Sequence, residues 1–304
     1  MTNREIHTLR DFLAAYEDAL ALLKDLGVDS RQGRLDDYRT RLRNAVLAEQ
    51  KAPEASHAHQ SDETFQYVLL EAREIIDIAT LGVRFLQGRE TLTKLRGLRK
   101  GQTLPDPTKD DPARNYAFEF SAAATAARRE RLLGFEAGDF QIGPEGYPVE
   151  CKRISSLARL GQNLRDAKNQ LKARGRPGII AIDLTSPIRA EQGLTRICSD
   201  ELELRQSVDK ELTAYLWRHF DGRVLEGVID PMVLGLIFHH RLIGSVGSPH
   251  EIRLARTWQA FRVHGVDNKL NHLFDAATSW LADGGRVEAS EGDLVSAIRS
   301  VPVP

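Results

Sequence analysis

Cysteine is nearly missing. The 304 residues hold two, Cys151 and Cys198, and neither belongs to a C-x-x-C pair. That argues against a disulfide framework and a cysteine-built zinc site, and it fits a reducing, cytoplasmic setting. An excess of one charge is missing too. Lys and Arg total 42 against 43 Asp and Glu, a formal net charge of −1, so any nucleic-acid surface must be local rather than a property of the whole molecule. There is no long hydrophobic run. The longest, Pro231 to Phe238, is far too short to span a bilayer and reads as a buried strand, so no membrane partner is expected. The opening MTNREIHTLRDFL has no signal-peptide core. The phosphate loop G-x-x-x-x-G-K-[ST] does not occur, which argues against ATP hydrolysis. No internal repeat or low-complexity tract is visible. What is left, 41% apolar and 28% charged, is an ordinary globular composition at a length that can bury one large or two smaller cores.

Apolar spacing predicts a run of helices at the N-terminus. The first covers residues 2–26, with Ile6, Leu9, Phe12, Leu13, Tyr16, Leu20 and Leu23 inward and Gly27 as its stop. A second covers 34–50, with Leu35, Tyr38, Leu42, Val46 and Leu47 inward. A third, 62–81, has Asp62 as its cap. A fourth, shorter helix is expected within 82–98. Residues 1–100 therefore read as an all-helical domain for recognition or assembly. Residues 101–112, rich in proline and aperiodic, read as a linker. From 113 to 304 helices alternate with short apolar strands, which suggests a three-layer α/β core. The expected order is a helix over 113–132, a strand hairpin within 135–153, a helix over 157–173 and a strand over 179–184. A loop over 186–199 with a short helix in it comes next, then a helix over 200–220, a strand over 233–238 running on to His239-His240, an edge strand over 253–263 and a helix over 268–281.

The stretch 134–153, GFEAGDFQIGPEGYPVECKR, concentrates the chemistry. Two strands meet at the turn signal Gly143-Pro144-Glu145-Gly146. Asp139 lies on the first. Glu150 and Lys152 lie on the second, two residues apart and hence on one face, with Val149, Cys151 and Arg153 on the other. Two carboxylates beside an ammonium suit a hard divalent cation next to a phosphate. The competing reading is an exposed hairpin with a surface salt bridge.

Asp139 followed by Glu150-Cys151-Lys152 resembles the PD-(D/E)xK nuclease superfamily, over roughly residues 112–190, with Gly138 where that motif has its proline. The resemblance implies a restriction-endonuclease-like core, a mixed central sheet flanked by helices. It implies an endonuclease that hydrolyses DNA with Mg2+ (or Mn2+), with RNA as an alternative substrate, in defence against foreign DNA or in repair. A homodimer or a partner protein is compatible with it, as is a catalytically inactive interaction module on the same fold. Asp139, Glu150 and Lys152 would be catalytic. Asp139, Glu150, the Cys151 carbonyl and Glu119 from the preceding helix would hold the metal, and Gln162 would join from the next helix. Basic residues crowd that segment: Arg153, Arg159, Arg165, Lys168 and Lys172, with Arg128 on the helix of Glu119, are expected to meet phosphate. A solvated outer face is the plainer account. Adjacent His239 and His240 point to opposite faces of a strand and make a poor chelate; a structural or phosphate-contacting role is expected.

Overall fold

The computed structural model describes residues 8–51, 62–106, 109, 111–135, 139–193, 195–220, 227–247, 251–263 and 268–278. The expected helix beyond 278 and the tail to 304 lie outside the described residues. The architecture is α/β: helices at the N-terminus, then a mixed sheet with helices between its strands. The chain forms two compact units. The first gathers Met1–Ala124, Leu194–Leu204 and Arg241–Ala255; the second gathers Thr125–Gly193, Arg205–His240 and Arg256–Pro304. The boundary expected at 101–112 falls inside the first unit, which also takes residues 113–124 and two later stretches.

In the first unit, helix α1 (Leu9–Asp25) opens with a reciprocal cap: the Thr8 hydroxyl accepts the Asp11 N–H at 3.1 Å, and the Asp11 carboxylate accepts the Thr8 N–H at 3.3 Å. Its buried face, with α2 (Arg34–Lys51) and α3 (Glu63–Ala79), makes a helical core around Tyr16, Leu23, Leu35, Leu42, Val68 and Ile75. Asp62 caps α3 through the Thr64 N–H at 2.9 Å. Leu47, expected inward, is 51% exposed. The expected fourth helix is a 3-10 turn (Val83–Phe85) followed by α4 (Arg89–Gly97).

Helix α3 is buried on nearly every side, and its acids Glu71, Glu74 and Asp77 are buried with cations. Glu71 Oε2 lies 3.3 Å from Arg34, Glu71 Oε1 lies 2.5 Å from Arg114, and the Tyr38 hydroxyl donates to the same carboxylate. Glu74 takes Arg241 at 3.0 Å. Arg114, on α5 (Pro112–Arg128), also donates to the Gln102 and Thr103 carbonyls at 2.9 and 3.1 Å. The Thr103 hydroxyl donates to Asp37 at 2.8 Å. The segment expected as a free linker is thereby tied to α2 and α3. Burial pulls the Arg114 guanidinium down, but Glu71, Tyr38 and Asp111 together outweigh it and hold it above its ordinary pKa. Burial, then Glu71, pushes the Tyr38 phenol well up.

The second unit is built on a mixed sheet. Strands β1 (Leu132–Gly134), β2 (Phe140–Ile142) and β3 (Tyr147–Arg153) are antiparallel neighbours. Next come β4 (Gly178–Asp183), parallel to β3, and β6 (Val233–Val246), parallel to β4. Two expectations are corrected. The hairpin has a third strand, β1, because the helix before it ends at Arg128. The short helix expected within 186–199 is α7 (Thr185–Gln192), while the rest, expected as loop, includes the strand β5 (Thr195–Cys198). β5 belongs to the first unit and pairs with residues 243–246 of β6. β7 (Ile252–Arg262) also pairs with β6. One sheet face carries Ile180, Ile182, Leu236 and Phe238. It packs on Leu160, Leu164, Ala167 and Leu171 of α6 (Leu160–Arg174) and on Leu212, Tyr215 and Leu216 of α8 (Glu201–His219). The last helix described is α9 (Asn268–Thr278). No helix among the described residues is long and apolar enough to cross a membrane.

Candidate functional site

The β2–β3 turn positions the acids. Gly143 and Gly146 have φ of +69° and +68°, in the left-handed region that glycine enters without a Cβ clash. The turn closes with the Gly146 N–H on the Gly143 carbonyl at 3.2 Å. It sets Phe140 opposite Val149 and Ile142 opposite Tyr147. Because β2 is only three residues long, Asp139 extends the ladder itself. Its N–H donates to the Val149 carbonyl at 3.2 Å, and its carboxylate Oδ2 accepts the Cys151 N–H at 2.6 Å. The Asp139 carboxylate therefore sits on the strand edge beside Glu150. The Cys151 carbonyl leaves the strand on that same edge, since N–H and C=O of one strand residue point the same way.

Glu150 and Lys152 share the face covered by α6, as the alternation predicts. Glu150 is fully buried; Arg174 pairs with its Oε1, and its Oε2 has no hydrogen-bond partner among the described residues. The Lys152 ammonium donates to Gln170 Oε1 at 2.7 Å. Gln170 and Arg174 are four residues apart on α6, about 6 Å along the helix; Lys152 and Glu150 are two apart on β3, about 6.6 Å along the strand. The near-equality of those spacings lets one helix face hold both site residues. The residue expected from this helix, Gln162, instead donates to Asp166 at 2.7 Å and accepts from Arg165 at 2.9 Å. Gln170 and Arg174 are legible in the sequence only as two polar residues with i, i+4 spacing on a helix that comes after Glu150-Cys151-Lys152.

The expected phosphate contacts have partners within the protein. Arg153 is buried on the opposite sheet face, its Nε 2.8 Å from Asp183, and is corrected from a DNA contact to a core ion pair. The same carboxylate accepts the Thr185 hydroxyl at 2.6 Å and lies 3.4 Å from His239 Nδ1. His239 stacks on Trp258 at 4.0 Å between ring centroids, and His240 meets Glu211 at 3.3 Å, so the two histidines diverge as expected. Lys168 donates to the Gly227 carbonyl at 2.5 Å and Lys172 to Asp230 at 2.9 Å. The Met232 N–H, with help from Lys172, holds the Asp230 carboxyl below its ordinary range. Arg128 donates to the Thr125 hydroxyl at 3.1 Å, and Arg165 to Gln162 at 2.9 Å.

Glu119 belongs to the first unit, where the buried carboxylate takes the Lys94 ammonium at 2.7 Å. Among the described residues no group of three or more His, Cys, Asp and Glu is placed to hold a metal ion. A cavity of about 360 Å³ opens in the first unit beside Gly97, Lys100, Asp111 and Tyr116, and no residue expected in the site lines it. No family model, curated protein or solved structure matches this chain.

Proposed function

We propose that the second unit is an endonuclease module that hydrolyses DNA with a divalent cation, on a restriction-endonuclease-like core. One observation carries this: the Asp139 carboxylate seated on the Cys151 N–H, beside a buried Glu150, on a strand whose next residue of the same face is Lys152. The chain order of helix α5, the β2–β3 hairpin, helix α6 and strand β4 is the order that the resemblance implies, with β1 added before the hairpin. The donors fit Mg2+ or Mn2+: two carboxylates and the Cys151 carbonyl are hard oxygens, and Glu150 Oε2 is buried without a hydrogen-bond donor among the described residues. When bound, such an ion supplies charge neutralisation at the phosphate and an activated water. Lys152 orients that water or neutralises a phosphate oxygen, and Gln170 holds the ammonium in place. Glu119, already neutralised by Lys94, is left out of the ligand set.

Asp139→Ala and Lys152→Ala should each lower Mg2+-dependent nicking of plasmid DNA by about 100-fold or more, with unchanged circular dichroism. Wild-type rates in both variants would remove the site. RNA in the same assay decides the substrate. The ion pair of Arg174 with Glu150 favours a second reading, an interaction module without cleavage. A calorimetric Mn2+ titration with no heat of binding would select it.

A further inference from the structure

Arg174 holds a position that the proposed chemistry does not use, and the role inferred for it rests on that metal-site reading. Glu150 is fully buried, and a buried carboxylate is tolerated as an anion only with a counter-charge. Arg174 supplies it. Its side chain is 27% exposed while that of Glu150 is 1% exposed, so the pair has one member with a route to water. A guanidinium does not lose its proton in a protein, so it can release the carboxylate only by moving. It has somewhere to go. Arg174 is the last residue of α6, before Gly175 in the left-handed conformation at φ 62°, and the free carbonyls of a helix C-terminus favour a cation.

We infer that Arg174 is the gate of the cation site. In the metal-free protein its guanidinium occupies Glu150. A divalent cation arriving beside Asp139 takes that carboxylate by displacing the guanidinium, one charge exchanged for another. No bond is made or broken beyond ligation. A site closed nine-tenths of the time by its own gate shows an affinity lowered about tenfold.

The test uses the full chain. In Mn2+ calorimetry Arg174→Gln should bind about tenfold more tightly than wild type. In EDTA it should melt lower than wild type, and Mn2+ should raise its Tm by more. Arg174→Lys, which keeps a pairing charge, should stay near the wild-type affinity. Equal or weaker Mn2+ binding by Arg174→Gln, with wild-type binding intact, overturns the gate and leaves the metal site standing. No binding by either protein overturns the metal site and the gate together. Should Arg174→Gln fail to fold, the wild type still decides. Its Arg174 side-chain Nε–H signal, assigned by its loss in Arg174→Lys, should shift with Mg2+ in step with saturation, and a signal that stays put overturns the gate.

Discussion

Lys152 and Arg153 are neighbours with opposite fates. The pleat turns the ammonium toward α6 and Gln170, and turns the guanidinium into a buried pair with Asp183. Arg153 is thus a core residue. Arg153→Ala should cost about 3–5 kcal/mol in urea unfolding, because Asp183 would stay buried without its cation; a loss below about 1 kcal/mol would contradict the assignment. A second prediction concerns pH. The Met232 N–H first, and Lys172 after it, depress the folded pKa of Asp230. A depressed carboxyl contributes stability that is present above the ordinary value of about 3.9 and is lost as pH falls through the folded value. Asp230→Asn should therefore lower the urea midpoint at pH 7, with the gap closing as acid protonates the wild-type carboxyl. A gap that is constant with pH would refute this.

At the scale of elements, α6 owes its end to Gly175. Alanine there would be forced into a left-handed backbone, so Gly175→Ala should destabilise by about 1 kcal/mol in thermal unfolding, with the fold retained. Helices such as α6 are legible because their apolar positions recur over three or four turns: Leu160, Leu164, Ala167 and Leu171 are all buried. Strands β1 and β5, of three and four residues, are too short for alternation to register, and the apolar pattern predicts neither. The same pattern predicts an apolar strand over 233–238 that runs on only to His239-His240, yet β6 reaches Val246, its polar residues His239, His240 and Arg241 buried with partners far away in sequence. The facing of Glu150 and Lys152 is legible, since period two is local. Their partners are not, because nothing in a linear reading distinguishes Gln170 from Gln162 until the helix is laid on the strand.

For the whole molecule, the expected division at 101–112 follows composition: proline and polar residues look the same in a tether and in a segment held by Arg114 and Thr103. The two compact units are instead assembled from interleaved stretches. A fragment of residues 113–304, which the linear division would make autonomous, leaves 194–204 and 241–255 without the helices of their unit. It should give a poorly dispersed amide NMR spectrum and no cooperative melt; a sharp, cooperative fragment would reject the interleaving. Glu71→Ala should cost about 3 kcal/mol in denaturant unfolding of the full chain and speed tryptic cleavage at Lys100, since it leaves Arg34 and Arg114 buried with Asp111 as their remaining carboxylate. Interleaving also sets a timetable. Arg241, which neutralises Glu74 on α3, also donates to the Leu70 carbonyl, 171 residues earlier in the chain. At about 5–20 residues per second a ribosome takes on the order of 10–30 s to cover that interval. A nascent chain must therefore wait that long before Arg241 can reach Glu74 and the Leu70 carbonyl, and the unit begun first during synthesis is among the last parts to close.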